Sequence, residues 1–141
     1  MTVAEKQREL VARLGIIEDP QERLGALLSR AKKWPAPPAE QLVEANRVQG
    51  CQSRVWVSPT FTEGVCHFPM ESDAPMVKGL VALLCELYDG ATPQDVATTE
   101  PTIFDALGFT RMVTPTRLNG LAEVRERIRE FAARASNNSA S

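Results

Sequence analysis

Three cysteines and a single histidine are the side chains of this chain best suited to nucleophilic or metal chemistry. Cys51 follows Gly50 and precedes Gln52-Ser53, with no apolar periodicity around it. A neighbouring glycine permits a tight or left-handed backbone and leaves a sulfur open to a partner. Position alone reads equally as a displayed thiol or as a half-buried turn residue. Cys66 stands beside His67 in a strand-like segment, where neighbouring residues point to opposite faces. The pair is therefore not expected to converge on a metal or to form a dyad. Cys66 reads as a packing residue and His67 as an exposed strand residue. Cys85 falls on the flank of a helical apolar stripe and reads as a small hydrophobe.

The spacing of these residues argues against several chemistries. An odd number of cysteines without a C-x-x-C pair argues against a disulfide scaffold. A metal centre needs three or four ligands meeting at one point, and the paired spacing that marks such sites is absent, so no metal site is expected. Neither a nucleophile-elbow serine motif nor a phosphate-binding glycine loop occurs.

The elements that must position Cys51 can be read from periodicity. Val3, Leu10, Val11 and Leu14 line one face of a first helix, ended by Gly15. Asp19-Pro20-Gln21-Glu22 predicts a helix start, with Asp19 as cap and Glu22 completing a capping box. Leu24, Leu27, Leu28 and Ala31 form its stripe, and Trp34-Pro35 stops it. A short helical piece is expected near residues 40–45.

From residue 46 to 71 the texture changes to β. Strands are expected at 47–49, 54–58 and 65–71, with Gly50-Cys51-Gln52-Ser53 a tight turn and Thr62-Glu63-Gly64 a hairpin loop. Short links between them imply an antiparallel meander. Val55 and Val57 are expected on one face and Trp56 on the other.

A helix follows, capped by Ser72 or Asp73 and ended by Asp89-Gly90, with Met76, Val77, Leu80, Val81, Leu84, Leu87 and Tyr88 as its stripe. Short helices are expected after Thr92-Pro93 and over 102–107. A last helix starts near Thr116, with Glu123–Arg127 and Glu130–Arg134 paired on its wet side. The expected architecture is α+β: a small three-stranded antiparallel sheet with helices packed against one face. One domain is expected over residues 1–134, with a disordered tail at 135–141.

Composition is that of an ordinary globular protein, 43% hydrophobic and 24% charged over 141 residues. A net charge of −2 offers no general attraction to nucleic acid or anionic lipid. Glu5, Lys6, Arg8, Glu9 and Arg13 interrupt any secretory-signal pattern at the start. A cytoplasmic protein with reduced thiols is expected.

Across Arg47-Val48-Gln49-Gly50-Cys51-Gln52-Ser53-Arg54-Val55-Trp56 the sequence resembles the SufE family of cysteine desulfuration proteins. Ser72-Asp73-Ala74-Pro75-Met76-Val77-Lys78-Gly79-Leu80 and Thr114-Pro115-Thr116-Arg117-Leu118-Asn119-Gly120-Leu121 match in order and spacing, as does Leu87-Tyr88-Asp89-Gly90 with Thr92-Pro93. Together they cover about residues 34–128. Thr116 stands where the family often has Ser, and Leu118 where it often has a small polar residue.

The resemblance implies the fold shared with IscU-type scaffolds and a sulfurtransferase-type persulfide carrier rather than a stand-alone enzyme. The implied donor is a SufS-like or CsdA-like cysteine desulfurase that uses pyridoxal phosphate and is stimulated by the carrier; the carrier itself binds no cofactor. Cys51 aligns with the family's sulfur acceptor, and the implied recipient is a SufBCD-like iron–sulfur assembly complex. Gly50, Gln52, Ser53, Asp73, Lys78 and Arg117 are candidates for framing the site or docking the partner. As helix-start and helix-face charges, Asp73, Lys78 and Arg117 equally have a plain structural reading.

Persulfide transfer requires a thiolate, and an ordinary thiol with a pKa of about 8.5 is mostly protonated at neutral pH. Gly50, Gln52 and Ser53 are neutral and Arg54 is expected to point away, so the free protein is expected to be a poor nucleophile until docked. An iron–sulfur scaffold, a noncatalytic adaptor of the desulfurase, and a cysteine hydrolase using His67 as base are the alternatives.

Overall fold

The computed structural model describes residues 1–140. Helix α1 (Val3–Gly15) opens with a reciprocal capping box. The Thr2 hydroxyl accepts the Glu5 N–H at 3.1 Å, and the Glu5 carboxylate accepts the Thr2 N–H at 2.9 Å. Both donors would otherwise be unsatisfied at a helix start. Helix α2 (Pro20–Ala31) begins at the expected Asp19-Pro20, but Asp19 bonds the N–H of Gln21 rather than forming a box with Glu22. Two single 3₁₀ turns, Ala39–Gln41 and Glu44–Asn46, replace the helical piece expected near 40–45.

The β region is a hairpin ribbon rather than a three-stranded meander. Strand β1 (Val55–Val57) pairs antiparallel with β4 (Met70–Ser72), and β2 (Thr60–Thr62) pairs with β3 (Val65–His67). The register of one pair continues into the other, bridged by the Ser58 N–H donating to the Pro69 carbonyl at 3.0 Å. Pro59 and Pro69 lack the N–H that a continuous ladder needs, which divides each long arm in two. The expected strand at 47–49 is reduced to one bridge, Arg47 with Trp56, supported by the Val48 N–H donating to Val55 at 2.8 Å. Glu63 and Gly64 close the ribbon with φ of 53° and 83°, as a two-residue type I′ turn requires.

The alternation expected along 55–57 does not survive tertiary packing. All three residues are buried. Trp56, assigned to the open face, donates its indole N–H to the Val43 carbonyl at 2.9 Å, so the 3₁₀ segment lies over that face. The alternation of a one-sided sheet is kept in β3 and β4, while β2 is exposed throughout.

Helix α3 (Pro75–Tyr88) is the axis of the molecule. Ala74 is its N-cap residue, without a side-chain cap, while Ser72 accepts the Ala74 N–H at 3.3 Å. Gly79 through Cys85, Leu87 and Tyr88 are all buried, so burial extends well beyond the expected stripe. Helices α1, α2 and the last helix pack around α3, as do β3 and β4. A helix surrounded on most sides is apolar on most sides. The α2 contact is close: a Cβ added to Gly79 would stand 3.0 Å from Leu28 Cδ2.

Helices α4 (Pro93–Thr98) and α5 (Ile103–Ala106) follow, and α6 (Pro115–Ala140) closes the fold. Among the described residues, the ion pairs of α6 are Arg125–Glu100 and Arg129–Glu126, not the expected Glu123–Arg127 and Glu130–Arg134. The helix also runs past Arg134 into the segment read as a tail, and Ala135 is buried. Ser and Asn are weak helix formers, so this last stretch continues α6 by propagation from the packed turns before it rather than by its own propensity. Ser141, the end of that expected tail, lies outside the described residues. Among the described residues no helix is long and apolar enough to cross a membrane.

Candidate functional site

Cys51 sits in the loop between the Arg47–Trp56 bridge and β1, and three elements hold that loop. The backbone pairing of Val48 with Val55 closes its base. Asp73, just before α3, grips its exit: Oδ1 accepts the Arg54 N–H and Oδ2 the Arg54 Nε–H, both at 3.1 Å. Helix α6 holds the tip. There the Cys51 thiol donates to the Gly120 carbonyl at 3.4 Å, and a Cβ built on Gly120 would only just reach ordinary contact with the same sulfur.

Gly50 makes the approach possible. Its φ of 87° is left-handed, and a Cβ there would fall 2.6 Å from Glu123 Cγ. Any other residue meets both obstacles at once.

Beside the thiol is a cavity of about 90 Å³. Gln52 and Ser53 line it from the loop, Val77, Leu80 and Val81 from α3, and Thr116, Arg117, Gly120 and Leu121 from α6. Its floor is aliphatic and its rim polar. About 10–15 Å³ suffices for one water, so a single added sulfur atom fits beside Cys51.

The electrostatics hold Cys51 protonated. Partial burial pushes its thiol above the ordinary value, the Glu123 carboxylate adds to this, and the Arg47 guanidinium opposes it. Arg47 is itself paired with Glu44 at 2.9 Å. The other two thiols are buried more deeply. Burial pushes Cys66 up to about 11, with the Asp89 carboxylate adding to it. Cys85, fully enclosed in α3, is raised further by the same two causes.

Gly50, Gln52, Ser53 and Arg117 thus gather around Cys51, while Asp73 fixes the loop from outside the cavity. The Arg117 guanidinium lies against the Met76 sulfur at 2.7 Å, over the junction of α3 and α6. Lys78 is not part of the lining; it pairs with Glu71 at 3.0 Å across the α3–β4 contact. Arg54 turns to Asp73 rather than simply along the strand. His67 is not a plain exposed strand residue. Its Nδ1 lies 3.2 Å from Asp89 Oδ2, while Asp89 Oδ1 accepts the Phe68 N–H at 2.9 Å. It stays on β3, outside the Cys51 cavity.

Sequence reasoning missed Gly120 and Glu123 as neighbours of Cys51. A glycine inside a helical pattern costs about 1 kcal/mol relative to alanine, which was the available signal for Gly120. Glu123 carried none, because a solvent-side glutamate on a helix looks the same wherever its neighbours come from. Among the described residues, no three or more His, Cys, Asp and Glu side chains form a group able to hold a metal ion.

Comparison with known proteins agrees with this architecture. The chain is 35% identical over 116 residues to an uncharacterized SufE-like protein of Synechocystis sp., covering 82% of this chain and 73% of that one. Its fold is similar to the solution structure of a hypothetical protein from Thermus thermophilus. That match has a TM-score of 0.78 and 28% identity, covering 94% of this chain and 96% of that one. The family model described as SufE, Fe-S metabolism associated domain, matches residues 8–132. With that match spanning the Cys51 loop, the α3 start and the α6 notch alike, the chain belongs to the SufE family.

Proposed function

We propose that this protein is a sulfur acceptor and carrier in which Cys51 takes persulfide sulfur from a cysteine desulfurase and delivers it for iron–sulfur cluster assembly. The observation that carries this reading is a half-buried thiol at the tip of a loop, beside a small cavity of mixed aliphatic and polar lining with room for one more sulfur. In the transfer step the Cys51 thiolate attacks the outer sulfur of the donor's persulfide. A new S–S bond forms on Cys51, the donor's S–S bond breaks, and the donor's cysteine leaves as thiolate. Thiolate is consumed and thiolate released, so no external oxidant or reductant is required.

The aliphatic floor suits a persulfide, because a terminal sulfur shielded from water is shielded from soluble thiols that would strip it. The same burial holds Cys51 protonated in the free protein. Transfer therefore calls for the loop to leave its pocket when a partner docks, and stimulation of the desulfurase would follow from removal of its product sulfur. A donor of the SufS or CsdA type, using pyridoxal phosphate, and a recipient of the SufBCD type fit this role, in the reducing cytoplasm.

Intact-mass measurement after incubation with a cysteine desulfurase and cysteine tests the assignment. One added sulfur is expected on the wild type, on Cys66→Ser and on Cys85→Ser, and none on Cys51→Ser. An adduct that persists in Cys51→Ser would remove Cys51 from the role of acceptor. Full stimulation of desulfurase turnover by Cys51→Ser would instead favour a noncatalytic adaptor.

A further inference from the structure

Two residues one turn apart on α6 receive the tip of the Cys51 loop. Gly120 offers its carbonyl to the thiol at 3.4 Å, and a Cβ built at Gly120 would stand 3.4 Å from the Cys51 sulfur, so the turn lies directly against this face. Glu123, three residues on and therefore on the same face, presses its methylene stem against Gly50. The fit is tight enough that a single added carbon on Gly50 would overlap Glu123 Cγ. The loop thus rests in a notch whose one wall is a carboxylate-bearing side chain.

We propose that Glu123 is a positioning residue that latches the Gly50–Cys51 turn to α6, so that Cys51 reacts faster once the turn leaves this carboxylate. The inference deepens the sulfur-carrier reading and rests on it for its biological meaning. The charged groups around the thiol are few. From α6 come Glu123 and, at the cavity rim, Arg117, whose guanidinium is against Met76. The segment before the loop supplies Arg47, paired with Glu44, and α3 presents only Val77, Leu80 and Val81. A carboxylate next to a thiol disfavours the thiolate, in the same sense as burial. Two effects of one side chain, stem against backbone and charge against thiolate, slow the resting thiol.

The two effects separate by substitution. Glu123→Gln keeps the stem and removes the charge, whereas Glu123→Ala removes both. The readout is the rate of Cys51 alkylation by iodoacetamide against pH, followed by peptide mass on the folded protein without any desulfurase. For Glu123→Gln the profile is expected to shift to lower pH, with about a threefold higher rate on its rising limb, and with the wild-type plateau retained. For Glu123→Ala the plateau itself is expected to rise at least about twofold, because the turn is released. A Glu123→Gln profile that superimposes on wild type, or a Glu123→Ala plateau equal to wild type, would overturn the latch. Circular dichroism of each variant establishes that the helix persists. Because the assay contains no sulfur donor, failure of persulfide transfer would refute the carrier reading and leave this result to be decided separately.

Discussion

At the scale of single residues, the three thiols differ by environment and not by kind. Cys66 and Cys85 are enclosed, and Cys51 is the partly open one. Its neighbour Gly50 is the residue on which that placement depends. A side chain there must adopt a left-handed backbone and displace Glu123 Cγ from 2.6 Å. Gly50→Ala is expected to destabilise the fold by about 1–3 kcal/mol, measured by denaturant unfolding. In the Gly50→Ala/Glu123→Ala double variant the steric part disappears and the backbone part remains, so only partial recovery is expected. Complete recovery would mean that the left-handed φ costs little. No recovery would mean that Glu123 is not what Gly50 accommodates.

At the scale of elements, the cavity is a product of how α3 and α6 are spaced, and α3 is in turn fixed by α2. Gly79 lets α2 approach, with Leu28 Cδ2 at 3.0 Å from where a Cβ would be. Gly79 lies between Val77 and Leu80, two of the aliphatic residues that floor the cavity. Gly79→Val should separate the two helices and cost about 1–3 kcal/mol as overpacking, read as a lower unfolding midpoint. An unchanged midpoint would show that Leu28 rotates away and that the helix spacing is set elsewhere. The ribbon is similarly anchored. Trp34 donates to the Phe68 carbonyl at 2.9 Å, and Phe68 meets Phe131 edge-to-face at 6.3 Å between ring centroids. These contacts tie the segment after α2, the ribbon and α6 together.

At the scale of the whole molecule, buried thiols make the fold sensitive to alkaline pH. Cys66 is held protonated to about 11, against about 8.5 in an unfolded chain. Below the unfolded value both states hold the proton. Between the two values the unfolded chain releases it while the native protein keeps it, so stability falls as pH rises through that window. Cys85 is displaced in the same direction. The thermal unfolding midpoint is therefore expected to drop between about pH 9 and pH 11, and more gently in Cys66→Ala. Parallel curves for the two proteins would show that Cys66 does not contribute.

Local chemistry is legible in the sequence alone. The Asp19-Pro20 and Thr92-Pro93 helix starts, the Glu63-Gly64 reversal and the Gly50-Cys51 turn depend on residues adjacent in the chain, and the corresponding elements are present. The α+β class and the SufE resemblance are legible for the same reason. Pairing and burial are not. Proline divides the strands, the 3₁₀ segment covers Trp56, and α3 is buried beyond its apolar stripe. Each of these is decided by what arrives from elsewhere in the chain.

The Cys51 site divides along the same line. Its thiol and the glycine that turns the backbone are neighbours in sequence, where conformational preference acts over two or three residues. Its cavity, the Gly120 carbonyl and the Glu123 carboxylate come from helices about 25 to 70 residues away, brought together by burial of apolar surface. The sequence by itself singled out Cys51, through its glycine neighbour and the SufE motif around it. Only the tertiary structure decided that it rests half-buried, protonated and against α6.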